Sequence, residues 1–381
     1  MIYDGENVMA AGQSGIPHIL PNDALRAPEL AIARTLPPDG CSLKDARAYV
    51  RWLATHQYEN FHVVSRLLPR RYHDSFYSVY AYCRWADDLG DEIGDSTRAL
   101  TLLNEWEREL ERCYEGRATH PVFIALTPTV RSCDIPIDPF RDLLRAFRQD
   151  QTVLRYRSWE SVREYCRYSA NPVGRLVLYL TGYCNEERQS LSDFTCTALQ
   201  LANFWQDVSR DLKKERIYIP LDLATKHGVN EADILAKRFT PGYAALMKEL
   251  IEQTRILFAA GAPLETMVAP HLRLDLELFR RGGCAVLDAI ERSGYDTLHH
   301  RPELNRWSKA SVLGHAITAK VWRAATGARG AETTAGVHAR SVDGLRAGSK
   351  ARLFSEIAQQ TAAPVSDPVL KENGSYAKRR A

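Results

Sequence analysis

The chain has 381 residues, 45% of them hydrophobic and 25% charged, so it can bury a large core and is not a disordered polyelectrolyte. Lys and Arg number 50 against 47 Asp and Glu, a net charge of +3, which excludes a global field drawing it to nucleic acid and makes any anion site local. A mean hydropathy of −0.33, with no uninterrupted apolar run of about 20 residues, excludes a bilayer-spanning helix.

The first residues, Met1 to Glu6, carry acids where a secretory signal would be basic and then apolar, so the expected address is cytoplasmic. Residues 1–41 hold Pro17, Pro21, Pro28, Pro37 and Pro38 without a sustained apolar period and read as a loosely ordered arm. Ser42 with Asp45 forms a helix start, its hydroxyl placed to cap the first turn, and a folded domain is expected over 42–322. Within it apolar residues recur at spacings of three and four, as in Phe76, Val79, Tyr80 and Cys83 and in Leu201, Ala202 and Trp205. Strand-like alternation with hairpin dipeptides is nearly absent, so the core is predicted to be all-α. Helix breaks are expected near Pro69, Pro121, Pro172, Pro220 and Pro263, and one acidic helix over about 74–94. From 323 to 381 the chain turns to Ala, Gly, Thr and Ser, ends in Lys378-Arg379-Arg380-Ala381, and is expected to be a disordered, solvated tail whose basic end is a candidate contact for an anionic membrane. The eight cysteines form no CxxC and no zinc-like spacing, and read as reduced, mostly buried thiols.

Two motifs carry chemistry. In the segment Tyr80 to Glu92, Asp87 and Asp91 stand one helical turn apart on a face shared with Tyr80 and Arg84. Like charges at this spacing repel, and a solvated acidic face is the plain alternative, but the segment is otherwise aromatic and small-apolar, and buried carboxylates need counter-charge. In the segment Gln200 to Asp211, Asn203, Asp207 and Asp211 place three oxygen donors along one stripe of a strongly apolar helix. A network of satisfied polar groups is the alternative there. Hard oxygen donors favour Mg²⁺, which binds one or two carboxylates together with substrate phosphate. Lys213, Lys214 and Arg216 follow at once, then Tyr218, and as a group they are candidates to clamp a leaving diphosphate.

On these motifs the sequence resembles the squalene and phytoene synthase family. The resemblance runs from about Thr55 to about Arg306 and includes Leu67-Leu68-Pro69, Tyr80 to Asp91, Tyr165 to Gly174, Gln200 to Asp211, Arg216 to Pro220 and Gly294-Tyr295-Asp296. It implies the class I terpenoid synthase fold, an all-α bundle around a central cavity. It also implies that Asp87, Asp91, Asn203, Asp207 and Asp211 hold Mg²⁺, that Tyr80, Arg84 and Gln200 meet an isoprenoid diphosphate, and that Tyr165 lies near the reacting carbons. Tyr58-Glu59-Asn60-Phe61, Ser169 to Gly174 and Asn203 to Asp207 are most similar to the hydroxysqualene synthase branch, which takes presqualene diphosphate to hydroxysqualene in hopanoid biosynthesis.

Two departures bear on the reaction. The family commonly has arginine immediately before the first Asp of the second motif, where this chain has Gln206, and its hydroxyl-rich stretch upstream of Leu67 is replaced by Gln57 to Asn60. Both weaken a second diphosphate site and favour a substrate with one diphosphate. The expected mechanism is Mg²⁺-assisted loss of diphosphate, protection of an allylic cation by some of Phe61, Phe76, Tyr80, Phe204 and Trp205, and quench by water directed by Tyr165, Asn171 or Gln206. The alternative is a condensing synthase joining two farnesyl or geranylgeranyl diphosphates. A non-catalytic scaffold should lose the carboxylates first, and a di-iron carboxylate bundle would carry Glu-x-x-His pairs that the acidic helices lack. No nicotinamide fingerprint is visible. Coupling to a presqualene diphosphate synthase and peripheral contact with the inner membrane surface are further expectations, drawn from the apolar substrate.

Overall fold

Apolar spacings of three and four become helices throughout the described part of the domain. The computed structural model describes residues 41–56 and 69–303, and among these every regular element is helical apart from an isolated parallel bridge between Arg155 and Ile217. The arm over residues 1–40, Asn60 and Phe61 with their neighbours at 57–68, and the tail beyond 322 lie outside the described residues.

The first helices form one core. They are α1 (Leu43–His56), α2 (His73–Asp91), α3 (Ser96–Glu115), α4 (Pro121–Ser132) and α5 (Asp138–Gln149). Ser42 caps α1 as expected, accepting from the Asp45 amide at 3.2 Å and donating to its carboxylate at 2.6 Å. α2 stops at Asp91, earlier than the predicted end, and the chain leaves it through Gly94 at φ 74°, a conformation that favours glycine. Tyr82, Trp85, Trp106, Phe123 and Phe140 fill this core. Two of its polar atoms are met inside, Trp85 Nε1 donating to Tyr49 Oη at 2.9 Å and Tyr82 Oη to the Phe140 carbonyl at 2.9 Å, whereas Trp106 Nε1 is buried without a hydrogen-bond partner.

The second core surrounds α8 (Glu186–Asp211), which follows α6 (Trp159–Ser169) and α7 (Asn171–Leu180). α8 packs against α7 and against α11 (Pro241–Gly261) and α12 (Pro270–Arg292), with the short α9 (Leu221–Lys226) and α10 (Glu231–Leu235) between. Gly283 allows α12 to approach, since a Cβ there would lie 2.3 Å from Phe258 Cζ. Trp205, expected among cavity-lining aromatics, is instead fully buried in this core, donating to Thr254 Oγ1 at 2.9 Å and stacking on Trp159. Its neighbour on the helix, Phe204, takes the other direction. The cysteines are all free, but only Cys113 and Cys166 are fully buried, and Cys184 is exposed. Among the described residues no helix is long and apolar enough to cross a membrane.

Candidate active site

The C-terminal end of α2 carries the first acidic motif. Arg84 does not project freely: its Nε donates to Asp88 Oδ2 at 3.1 Å, and Glu92 and Asp87 stand 3.2 and 3.6 Å from its guanidinium. Asp88, one turn beyond Arg84, lies directly along the helix from it, so the sequence reading of Arg84 as a substrate contact missed its main partner. Tyr80 is partly buried against the first core. Asp87 remains half open to solvent, with 51% of its side-chain surface exposed. Its carboxyl is raised above the usual range by the covered helix end, with Asp91 and Glu92 adding to the effect and Arg84 opposing it.

Asp91 is claimed by the basic segment that follows α8. Lys214 Nζ donates to Asp91 Oδ2 at 2.9 Å, and both terminal nitrogens of Arg216 reach Oδ1 at 3.2 Å. Burial would raise this carboxyl, yet the two cations hold it below the usual range. The segment is shaped for this. A short 3-10 turn over Leu212–Lys214 ends at Glu215 with φ 57°, a left-handed conformation rare for a side chain of this kind, and the Glu215 carbonyl receives the Arg155 guanidinium. Arg155 in turn pairs with Glu231 at 2.7 Å. The reversal sends Arg216 back to α2, and the Ile217 amide to the Leu154 carbonyl at 2.9 Å. Lys213 is exposed.

The second motif lines the last turns of α8. Asn203 is exposed, and neither it nor Asp211 has a side-chain hydrogen bond or ion pair among the described residues. Asp211 is pushed up to about 7 by burial and then by Asp207, with Arg216 and Lys214 opposing, and it also feels Asp91 across the site. Asp207 is paired with Arg301, which reaches it from beyond α12. Gln200 is partly covered. Gln206 is buried, donating from Nε2 to the Pro302 carbonyl at 2.6 Å and accepting from Arg301 Nη2 at 3.0 Å. Asn171, a candidate for directing water, is also engaged, since Thr197 donates to its Oδ1 at 2.9 Å.

Between the motifs stands an aromatic wall. Phe204 and Tyr218 stack face to face with centroids 3.8 Å apart, and Tyr165 and Tyr156 pack behind them on Tyr218 at 5.7 and 5.4 Å. A narrow hollow, with room for little more than a water molecule, is bordered by Phe204, Val208, Asp211, Arg216, Tyr218 and Ile219. Tyr165 donates to Asp150 Oδ2 at 2.8 Å, while Asp150 Oδ1 is buried without a hydrogen-bond partner. Burial lifts the Asp150 carboxyl to about 7, against the Tyr165 bond and Arg216. Arg216 also donates to the Asp150 carbonyl at 3.4 Å and so ties this pair to Asp91.

The structure therefore brings together Asp87, Asp91, Asp207, Asp211, Lys214, Arg216, Tyr218 and Tyr165, and adds Asp88, a member of the first motif that was given no role, and Asp150, Arg155 and Arg301, which no sequence motif indicated. Among the described residues no three His, Cys, Asp or Glu side chains converge tightly enough to hold one ion by themselves. The donors that lack partners, Asn203 and Asp211, are nonetheless hard oxygens on one stripe, and the carboxyls of Asp87 and Asp211 are raised first by burial and then by neighbouring acids. This donor set fits Mg²⁺.

The family model described as squalene/phytoene synthase matches residues 54–308. The phytoene synthase of Thermus thermophilus is 33% identical over 276 residues, 72% of this chain and 93% of that protein. The hydroxysqualene synthase of Rhodopseudomonas palustris is 35% identical over 227 residues, 59% of this chain and 76% of that protein. The crystal structure of squalene synthase HpnC from Alicyclobacillus acidocaldarius superposes with a TM-score of 0.65 at 44% identity, covering 70% of this chain and 99% of that one. The fold is the all-α terpenoid synthase fold of these proteins.

Proposed function

The chain belongs to the squalene/phytoene synthase family, a family of isoprenoid synthases, and from that premise we propose that it is a hydroxysqualene synthase, converting presqualene diphosphate and water to hydroxysqualene and diphosphate. Asp87, Asp91, Asn203, Asp207 and Asp211 would hold Mg²⁺, with Asp91 and Asp207 exchanging their present cationic partners for it. The metal supplies Lewis-acid neutralisation of the diphosphate oxygens as the carbon–oxygen bond ionises.

The protein's own groups do the rest. Lys214, Arg216 and Arg301, released from carboxylates, bind the leaving diphosphate, with Lys213 at the exposed edge. Phe204, backed by the stacked Tyr218 and Tyr165, offers a ring face to the carbocation worth about 0.5–2 kcal/mol, and the wall keeps bulk water away. The water that quenches the cation gives up a proton, and the Tyr165–Asp150 pair takes it. Tyr165 Oη passes on its own proton to Asp150 Oδ2, to which it is already hydrogen-bonded, and Asp150 has a carboxyl tuned near neutrality for that role. Carbon, oxygen and proton balance without a hydride donor.

The observation that carries this reading over condensation is Gln206. Its amide is spent on Pro302 and Arg301, so the cation at this place is Arg301, already assigned to the one leaving diphosphate, and residue 206 adds none for a second. A condensing synthase with the same metal site is the second reading, favoured by the Thermus phytoene synthase, which matches this chain along nearly its own full length. Incubation of the purified protein with Mg²⁺ and either presqualene diphosphate or farnesyl diphosphate, followed by mass spectrometry, separates the two. Hydroxysqualene from the former with farnesyl diphosphate untouched is the expected result. Conversion of farnesyl diphosphate to a C30 product would replace the first reading with the second.

A further inference from the structure

Gln206 stands one residue before Asp207 on α8, so its side chain leaves the helix about 100° away from the stripe of Asn203, Asp207 and Asp211. It faces the chain segment that follows α12. That segment is fixed at one end by the core: Thr297 and Leu298 are fully buried, and Thr297 Oγ1 shares a 2.8 Å hydrogen bond with Tyr243 Oη. At its other end Gln206 grips it from α8 beside Asp207, holding the Pro302 carbonyl and the Arg301 guanidinium at once.

This double grip needs a side chain with one donor and one acceptor at the same end. Glutamine has both, arginine and lysine have only donors, and glutamate has only acceptors when ionised. Asparagine has the chemistry but is one methylene shorter. Arg301, seated this way, uses Nε and Nη2 on Asp207 and Gln206 and leaves Nη1 without a hydrogen bond among the described residues. An arginine at 206 would set two guanidinium groups against each other and dislodge Arg301.

We propose that Gln206 is a positioning residue: it seats Arg301 at the head of the second acidic motif, so that one diphosphate is met there by Arg301 and not by the residue at 206. The inference rests on the proposed function only in that the site binds diphosphate. Gln206 then contacts neither diphosphate nor the quenching water, in place of the water-directing role considered for it from the sequence.

The test is a double-mutant cycle on the binding of inorganic pyrophosphate in the presence of Mg²⁺, measured by calorimetry for wild type, Gln206→Met, Arg301→Met and the double variant. Each single change is expected to weaken binding about tenfold, and the double variant also by about tenfold, because both changes remove one device. Hydrogen exchange of residues 297–303 should rise in Gln206→Met while the body of α8 stays protected. Gln206→Asn, which keeps the amide but loses the reach, should behave as Gln206→Met does, and it replaces that variant in the cycle if methionine at this site prevents folding. Independent losses that multiply to about a hundredfold would show that Gln206 meets the diphosphate directly and overturn the proposal. So would unchanged pyrophosphate affinity in a Gln206 variant whose melting temperature has fallen, the signature of a structural role alone. A protein that condenses farnesyl diphosphate can still pass this cycle, so failure of the hydroxysqualene reading and failure of the Gln206 seat are told apart.

Discussion

Asp87 carries a charge that the packing around it does not require. Its side chain is half exposed and its nearest cation, Arg84, is held more closely by Asp88. Asp87→Asn should therefore leave the melting temperature nearly unchanged while lowering kcat about a hundredfold or more, as loss of one preorganised charge does. Wild-type kcat with Mg²⁺ present would remove Asp87 from the site. Asp150 behaves oppositely. Its carboxyl moves from an ordinary 3.8 to about 7 on folding, so between those values the native state binds more protons than the unfolded chain, and stability falls as pH rises from about 4 to about 7. Asp150→Asn should flatten that decline in melts compared at pH 5 and pH 7.5, and should lower turnover by about a hundredfold by removing the proton acceptor. The carboxylates at four-residue spacing were legible in the sequence because a helix fixes their geometry. Asp150 and Arg301 were not, since one sits at the end of an amphipathic helix and the other lies 94 residues from Asp207. Neither position carries a local signal of what it faces.

At the scale of elements, the stretch from Leu212 to Tyr218 is what joins the acidic motifs. Its shape depends on Glu215 in a left-handed conformation and on Arg155 gripping the Glu215 carbonyl. Arg155→Ala should loosen the segment without unfolding α8, and weaken Mg²⁺-dependent binding of pyrophosphate several-fold through Lys214 and Arg216. Unchanged affinity would mean that the turn holds its form unaided. Sequence signals located most elements: Ser42 begins α1, Pro121 and Pro172 stand at the first turns of α4 and α7, and Pro220 directly precedes α9. Pro128 inside α4 was not anticipated, because the helix continues through it with tertiary packing on both sides. The turn at Glu215 escaped notice because glutamate gives no hint of positive φ. Trp205 was misread for a related reason: periodicity marks a helix face as apolar without saying whether a core or a cavity lies against it.

For the whole molecule, an all-α architecture was readable from period and from the lack of hairpin signals, and two cores now explain how it positions the site. One fixes α2, the other fixes α8, and the acidic ends of both meet the 214–216 segment, where Asp211 senses Asp91. The near-neutral charge of the chain leaves this local arrangement of cations and carboxylates to do the recognition. The central claim is that the carbon–oxygen bond ionises and water supplies the new hydroxyl. The most direct measurement is turnover of presqualene diphosphate in water enriched in ¹⁸O, with the label located by mass spectrometry. The heavy oxygen is expected in the hydroxyl of hydroxysqualene and none in the released diphosphate. Label in the diphosphate with an unlabelled alcohol would mean cleavage at phosphorus and would contradict it.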